Sequence, residues 1–435
     1  MKLSNILGLN ARTQLYAYRY NSRRGKNIAD SKIQTAKALR IAGVDHPKIY
    51  KKFRRADDIY DFDWESLPDR FALKPSRGLG GEGIIVIKKR LRKGGWLTTQ
   101  KKRVSIDDLK FHTSDILEGA YSMGNEPDVA FIQEYIGRHK VFRRWAYRGT
   151  PDIRIIVFNK IPVLAMLRLP TRQSGGRANL HQGALGVGVD IGTGMTTKAI
   201  WGGEQIVFKP DTKYKLRGIK IPMWSRVLDT AVRASIASGL GYCGVDIVLH
   251  PDRGPMVLEL NAQPGLQIQL ANGVGLKRRL ERVDELEVRD SEHGVAIAKA
   301  LFTSHTLPKR FEEVIKIKAV EEIRIKNVES KKKKVTAKID TGAWSSAIDK
   351  KFAKALGILT KDKILWYKDK LSSLGKERRP VIPVTLWLGG RKIKTNMTVA
   401  DRKLLRYDVL IGRVDLGGFL VSADIDKKDL VKAKW

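Results

Sequence analysis

Cysteine is almost absent. Cys243 is the single one in 435 residues, which excludes an internal disulfide and any multi-cysteine zinc site. The seven histidines are scattered, with no His-Glu-x-x-His sequence among them, so a zinc centre is not expected either. No apolar run reaches the ~20 residues that cross a bilayer. The apolar patch at the N-terminus is broken and runs at once into Arg12; it reads as mature structure rather than a signal peptide. Acidic residues are outnumbered by basic ones, 46 against 83. These absences predict a soluble protein of a reducing, cytoplasmic compartment.

What is present is an ordinary globular composition, 42% hydrophobic and 30% charged. That excludes a wholly disordered or collagen-like chain. The length suits two to three domains. A net charge of +37 is either a solvated, self-repelling surface or a contact for a polyanion: acidic polypeptide, nucleic acid or anionic membrane. No zinc-finger or RNA-recognition signature accompanies it.

Along the chain, residues 1–70 read mostly helical. Asp30 is the candidate cap of a helix carrying Ile33, Ala36, Leu39 and Ile41, and Gly43 ends it. Strands are expected near 69–75, 84–87 and 129–136. Two hairpins are expected, one turning at Asn159-Lys160 and one at Asp252-Arg-Gly254, with a helix over 224–239 between them. After residue 305 the texture becomes short β-type runs. Gly389-Gly390 marks a hairpin turn there, and Lys331 to Lys334 reads as an exposed loop tip.

Three patterns carry chemistry. Lys74-Pro-Ser-Arg-Gly-Leu-Gly-Gly-Glu-Gly83 places a lysine and then a glycine-rich loop between two strands. Gly80 and Gly81 would let backbone N–H groups approach phosphates, and the lysine supplies a fixed charge. It is neither a Walker A loop nor a dinucleotide fingerprint, and a plain hairpin loop is the competing reading. Next, Asp246 is followed by Leu258-Glu259-Leu-Asn261. Residues i and i+2 of a strand share a face, so Glu259 and Asn261 point together and Asp246 can face them from the paired strand. This is a hard-oxygen set suited to Mg²⁺. Third, Gln133-Glu134-Tyr135-Ile136 ends an apolar strand, where its backbone can serve as a hinge beside a base.

With these in order, residues from about 25 to 275 resemble an ATP-grasp ligase of the RimK type. Closer still are the alpha-L-glutamate ligase-like proteins, related to ATP-grasp proteins associated with sugar transfer. The residues that carry the likeness are Ser31-Lys32 (serine where the family has aspartate), Lys74, Glu134 to Ile136, Asp152 to Arg154, Arg177 to His181, Asp246, and Glu259 to Asn261. The resemblance implies ATP and Mg²⁺ or Mn²⁺ as cofactors. Lys74 and Lys32 would hold phosphates, and Glu134 and Tyr135 would border the adenine. Asp152, Arg177, Ala178 and Asn179 would line the nucleotide region. Asp246, Glu259 and Asn261 would hold the metal. Arg154 and Arg168 would face the transferred phosphoryl group or a substrate carboxylate, a structural salt bridge being the other reading of Arg168. His181 is a candidate base or substrate-orienting group. The implied reaction joins a carboxylate to an amine through an acyl phosphate, with an amino acid or acidic peptide as substrate. Two features depart from the family: little chain precedes Lys32, and a basic insert spans Gly137 to Pro151.

Asp340-Thr-Gly342, with Leu410-Ile-Gly-Arg413 some seventy residues later, resembles retropepsin-type aspartic protease subunits, those of the bacterial family once described as ATP-dependent zinc proteases. Aspartic catalysis needs two carboxylates. Asp340 alone would be catalytic only in a homodimer; without one the domain would bind peptide. The expected architecture is therefore an α+β ATP-grasp region (1–305), a linker (306–314) and a small all-β retropepsin-like, acid-protease barrel (315–435). A nucleotide-regulated dimeric peptidase and a non-catalytic polyanion-binding scaffold are the alternative functions.

Overall fold

The computed structural model describes residues 3–78, 80–303, 315–372, 375–403 and 405–422. The chain divides into two units, Met1–Thr303 and Ser304–Trp435. The expected linker, 306–314, lies outside the described residues.

In the first unit, β1 (Ile49–Phe53), β2 (Phe71–Pro75), β3 (Ile85–Arg90), β4 (Trp96–Thr98), β5 (Arg103–Val104) and β6 (Ala130–Glu134) form an antiparallel sheet in the order β1-β6-β2-β3-β4-β5. β1 lies inside the stretch expected to be helical. Aromatic burial holds this layer: Phe53 stacks on Trp64, and Phe71 meets Trp96 edge-on. The helix Ile106–Leu117 adds Leu109 and Ile116 to the same core. Its start is fixed by a reciprocal capping box between Ser105 and Asp108. Ahead of this sheet, the helix Lys32–Ile41 is capped by Ser31, whose Oγ accepts from the Gln34 N–H, and not by Asp30. Asp30 instead ends the preceding helix, Arg23–Ala29.

The second sheet of this unit contains β7 (Asp152–Phe158), β8 (Ile161–Leu169), β9 (Leu185–Val189), β10 (Thr196–Trp201), β11 (Glu204–Ile206), β12 (Tyr242–His250) and β13 (Gly254–Asn261), in the antiparallel order β11-β10-β9-β8-β7-β12-β13. Asn159 and Lys160 both have positive φ, 50° and 60°, the conformation of a tight two-residue hairpin. All nine residues of β8 are buried, as expected for a strand covered on both faces. The helices Trp224–Ser238 and Ser291–Phe302 pack on one side of the sheet. The first of these stops at Gly239, which takes the left-handed conformation at φ +70°.

The second unit contains β14 (Ile315–Lys318), β15 (Val320–Lys326), β16 (Lys332–Asp340), β17 (Ala347–Asp349), β18 (Trp366–Ser372), β19 (Gly375–Leu388), β20 (Arg391–Ala400), β21 (Val409–Gly412) and β22 (Phe419–Ser422). Six of these close into a barrel, β15-β16-β21-β17-β20-β19, sealed by β15–β19 pairing at Arg324↔Trp387. Closure removes the free sheet edges around a core that includes Ile323, Ile325, Ala337, Ile339, Ile382 and Leu386. Lys332 to Lys334 belong to β16 and are not the loop tip expected for them. Among the described residues, no helix is long and apolar enough to cross a membrane.

Candidate active site

The register of the seven-stranded sheet collects the polar residues. Asp152 stands opposite Arg168, and Arg154 opposite Asp246. Asp246 in turn stands opposite Glu259. Directly opposed residues, and residues two apart, share a face, so all of these and Asn261 lie on one side. A β-bulge makes this possible. The register shifts between Asp246 and Ile247, leaving Leu258 as the extra residue. With strict alternation from Val257, whose partner Ile247 points away, Glu259 would turn away as well. The bulge brings it back beside Asp246.

These charges form a buried network. Arg168 holds both oxygens of Asp152, at 2.5 and 2.7 Å, and donates a third bond to Asp246 Oδ2 at 2.6 Å. Arg154 grips Asp246 through Nε at 2.7 Å and Nη2 at 2.6 Å, with Glu259 3.9 Å from Nη2. Burial disfavours an ionised Asp246, but the two guanidinium groups outweigh it and hold the carboxyl well below the usual range. Burial, and the neighbouring Asp246 charge, push Asp152 upward against Arg168. Removing Arg168 would strand the buried Asp152 carboxylate, at a cost of about 3–5 kcal/mol. Arg168 is thus occupied by carboxylates, and its side chain is not open to a substrate; the salt-bridge reading is the one its geometry fits. Arg154 is likewise engaged, with only a small exposed fraction.

A cleft of about 620 Å³ lies against this face, within the range of nucleotide pockets. Ile136, Val248 and Leu258 give it an apolar wall. The bulged Leu258 is itself part of that wall. Lys74, Gly81, Glu134, Tyr135, Asp152, Arg177 and Ala178 line the cleft. Lys74 Nζ donates to Gln133 Oε1 at 2.8 Å. Burial, reinforced by Lys32 and opposed by Glu259, lowers its pKa to about 8. The glycine-rich loop arches beside it. Lys32 Nζ donates to Gly78 O at 2.9 Å, so Lys32 braces the loop. Gly80 O accepts from Asn179 Nδ2 and Gln182 Nε2, each at 3.2 Å. Asn179 therefore ties its segment to the loop, while its Oδ1 caps the short turn carrying the exposed His181.

Sequence reasoning missed several supports. The Glu134 carboxylate is taken up by protein partners. Its Oε2 accepts from the Lys48 N–H at 3.0 Å and its Oε1 from Arg253, which ties the hinge to the residue before β1 and to the turn between β12 and β13. His112 Nε2 contacts Gly83 O at 2.8 Å, and Tyr121 OH lies 3.3 Å from His112 Nδ1. A Cβ on Gly83, at φ +67°, would stand 2.6 Å from the Tyr121 ring. The spacing of a hairpin loop carries no signal for these long-range contacts.

The donors suit a hard cation. Glu259 is partly exposed. The buried Asn261 Nδ2 has no hydrogen-bond partner, and amide nitrogen and oxygen are interchangeable in orientation, so an oxygen there would be an open acceptor. Asp246 spends three of about four acceptor sites on arginines. No group of three His, Cys, Asp or Glu residues able to hold a metal occurs among the described residues. Asn261 is placed to add an amide oxygen to the carboxylates on its strand face.

In the second unit, Asp340 ends β16. Its Oδ1 accepts from the N–H groups of Gly342 and Ala343, at 2.9 and 3.0 Å, and Lys338 Nζ lies 3.8 Å from Oδ2.

A family model described as sugar-transfer associated ATP-grasp matches residues 11–285. A probable alpha-L-glutamate ligase of Stenotrophomonas maltophilia (strain K279a) is 26% identical over 258 residues, 59% of this chain and 65% of that protein. A probable alpha-L-glutamate ligase of Maridesulfovibrio salexigens is 29% identical over 169 residues, 39% of this chain and 41% of that one. The chain thus spans less than two thirds of either relative. Among solved structures, the ATP-grasp ligase PsnB, complexed with a variant of its minimal precursor, Mg and ADP, is 19% identical with a TM-score of 0.33; the likeness covers 60% of this chain and 59% of PsnB.

Proposed function

The chain belongs to the sugar-transfer associated ATP-grasp family, whose wider class of ATP-grasp ligases uses ATP and Mg²⁺, and on that premise we propose that it is a carboxylate–amine ligase. The observation that carries this reading is a cleft lined by Lys74 and by Gly81 of the glycine-rich loop, with Glu259 close enough to Lys74 to act on its charge and Asn261 on the same strand face as Glu259. Lys74 would meet the phosphates with its ammonium, and loop N–H groups would cradle them. Ile136, Val248 and Leu258 would pack on the flat base. Glu259 and Asn261, with the remaining acceptor site of Asp246, would hold Mg²⁺, which supplies charge neutralisation for phosphoryl transfer when bound. Arg154 and Arg168 keep Asp246 ionised and oriented; they act through it.

The reaction runs in two balanced steps. A substrate carboxylate oxygen attacks the γ-phosphorus, the bond to the β-phosphate oxygen breaks, and ADP leaves. An amine nitrogen then attacks the acyl carbon, the bond to phosphate breaks, and the amine loses a proton as the amide forms. Positioning and electrostatics account for most of such catalysis. Glutamate is the donor suggested by the names of the relatives.

For the second unit the reading is a retropepsin-like, peptide-binding barrel. Its single Asp340 would need a second copy for cleavage.

The test is ADP release with Mg·ATP across amino acids and acidic peptides, with hydroxylamine added to trap an acyl phosphate as hydroxamate. Substrate-dependent release and hydroxamate, both lost in Glu259→Gln with Asn261→Ala, are expected. Release unchanged in that variant would sink the ligase assignment.

A further inference from the structure

The segment 137–150 contains no Asp or Glu and five cations: Arg138, Lys140, Arg143, Arg144 and Arg148. A second segment, 207–218, contributes Lys209, Lys213, Lys215 and Arg217 against one acid, Asp211. The fold joins the two. Trp145 Nε1 donates to Lys215 O at 3.1 Å, Lys209 Nζ donates to Arg144 O at 3.1 Å, and the Arg144 guanidinium lies 5.3 Å from the Tyr214 ring centre. The patch is anchored from below by buried Phe142, Ala146 and Leu216. None of the nine cations has a carboxylate within ion-pair distance among the described residues. Like charges are crowded enough that Arg138, after burial, helps lower the pKa of Lys209. The inner end of this rim reaches the nucleotide cleft, because Arg148 lines it.

Such a surface repels itself unless an anion covers it. Its chemistry distinguishes between anions. Two aromatic rings of the patch are already faced by guanidinium groups, Tyr147 by Arg148 and Arg172 and Tyr214 by Arg144, which leaves Phe208 as an exposed ring. Single-stranded nucleic acid would find few open stacking platforms. Carboxylates would find planar guanidinium forks held in place by those rings. The geometry points to a docking rim for an acidic polypeptide segment, which delivers its amine-bearing end past Arg148 to the acyl phosphate. This rests on the ligase reading above and names the acceptor class.

The test uses the full chain and a fluorescein-labelled decaglutamate, read by anisotropy in 150 mM salt, with ADP affinity measured in parallel. Arg143→Glu, Arg144→Glu and Lys213→Glu together should weaken decaglutamate binding at least tenfold and leave ADP affinity within twofold. A control combining Lys326→Glu, Lys392→Glu and Lys394→Glu in the second unit changes net charge equally and should leave decaglutamate binding within threefold. Equal losses in both variants would reduce the effect to net charge and overturn the rim. So would displacement of decaglutamate by an equimolar ten-nucleotide thymidine strand. ADP binding without decaglutamate binding overturns the docking rim alone; loss of ADP binding in the unaltered chain removes the ligase reading itself.

Discussion

Lys74 shows how much a single position can carry. Its ammonium is desolvated and sits near a second ammonium, that of Lys32; it donates to the neutral amide oxygen of Gln133. Burial is the larger cause and Lys32 the second, with Glu259 opposing, and the pKa falls to about 8. An unfolded lysine titrates near 10.4. Between these values the unfolded chain binds more protons than the folded one, so this residue makes stability rise with pH across that window. A nucleotide phosphate would reverse the shift by giving the ammonium a partner. Binding of ADP at pH 8 should therefore take up about half a proton, and less at pH 7, where the lysine is already charged. Calorimetry in two buffers of different ionisation enthalpy measures that uptake. Zero uptake at pH 8 would mean that Lys74 is fully charged before the nucleotide arrives, or never meets it.

At the scale of elements, the bulge at Leu258 sets Glu259 opposite Asp246. Deleting Leu258 removes the extra residue and lets Glu259 follow Val257 in plain alternation, still opposite Asp246 on the cleft face, while taking one residue out of the apolar wall. Mg²⁺ should then still strengthen ADP binding, while metal-free binding falls a few-fold; titration of ADP with and without Mg²⁺ would read both. A folded deletion variant that loses its Mg²⁺ dependence would show that the bulge geometry itself, beyond the facing of Glu259, sets the metal ligands. The bulge also marks where the sequence stops being legible. The turns at Asn159-Lys160 and Gly389-Gly390 are visible because asparagine and glycine tolerate the positive φ found there, and the Glu-x-Asn pair because spacing of two on a strand needs no partner. An extra residue in one strand is defined only against its neighbour, so Leu258 gives no local sign. The same holds for the arginines: Arg154 and Arg168 look open to substrate until the register sets Asp246 and Asp152 beside them. The lysines of β16 mislead for another reason. Only Ala337 and Ile339 near its end are buried, so the outward-facing first half has the composition of a loop. Asp30 and Ser31 are adjacent and equally good caps by type; which one caps depends on where the helix begins.

Over the whole chain, every residue placed at the cleft belongs to Met1–Thr303, and each unit has a core of its own. A nucleotide site built entirely within one unit should not need the other to form. Residues 1–303 expressed alone should bind ADP within about threefold of the full chain, a difference of under ~1 kcal/mol. The closed barrel should not share that site: among its described residues no glycine-rich loop lies beside a buried lysine. Isothermal titration of the two proteins with ADP, alongside thermal unfolding of each, separates a lost site from a lost fold. A folded 1–303 that binds ADP tenfold more weakly would mean that Ser304–Trp435 completes the nucleotide site. That outcome would favour a nucleotide-regulated barrel over two activities joined in one chain, because a unit that contributes to the site is also a unit whose state the nucleotide can bias.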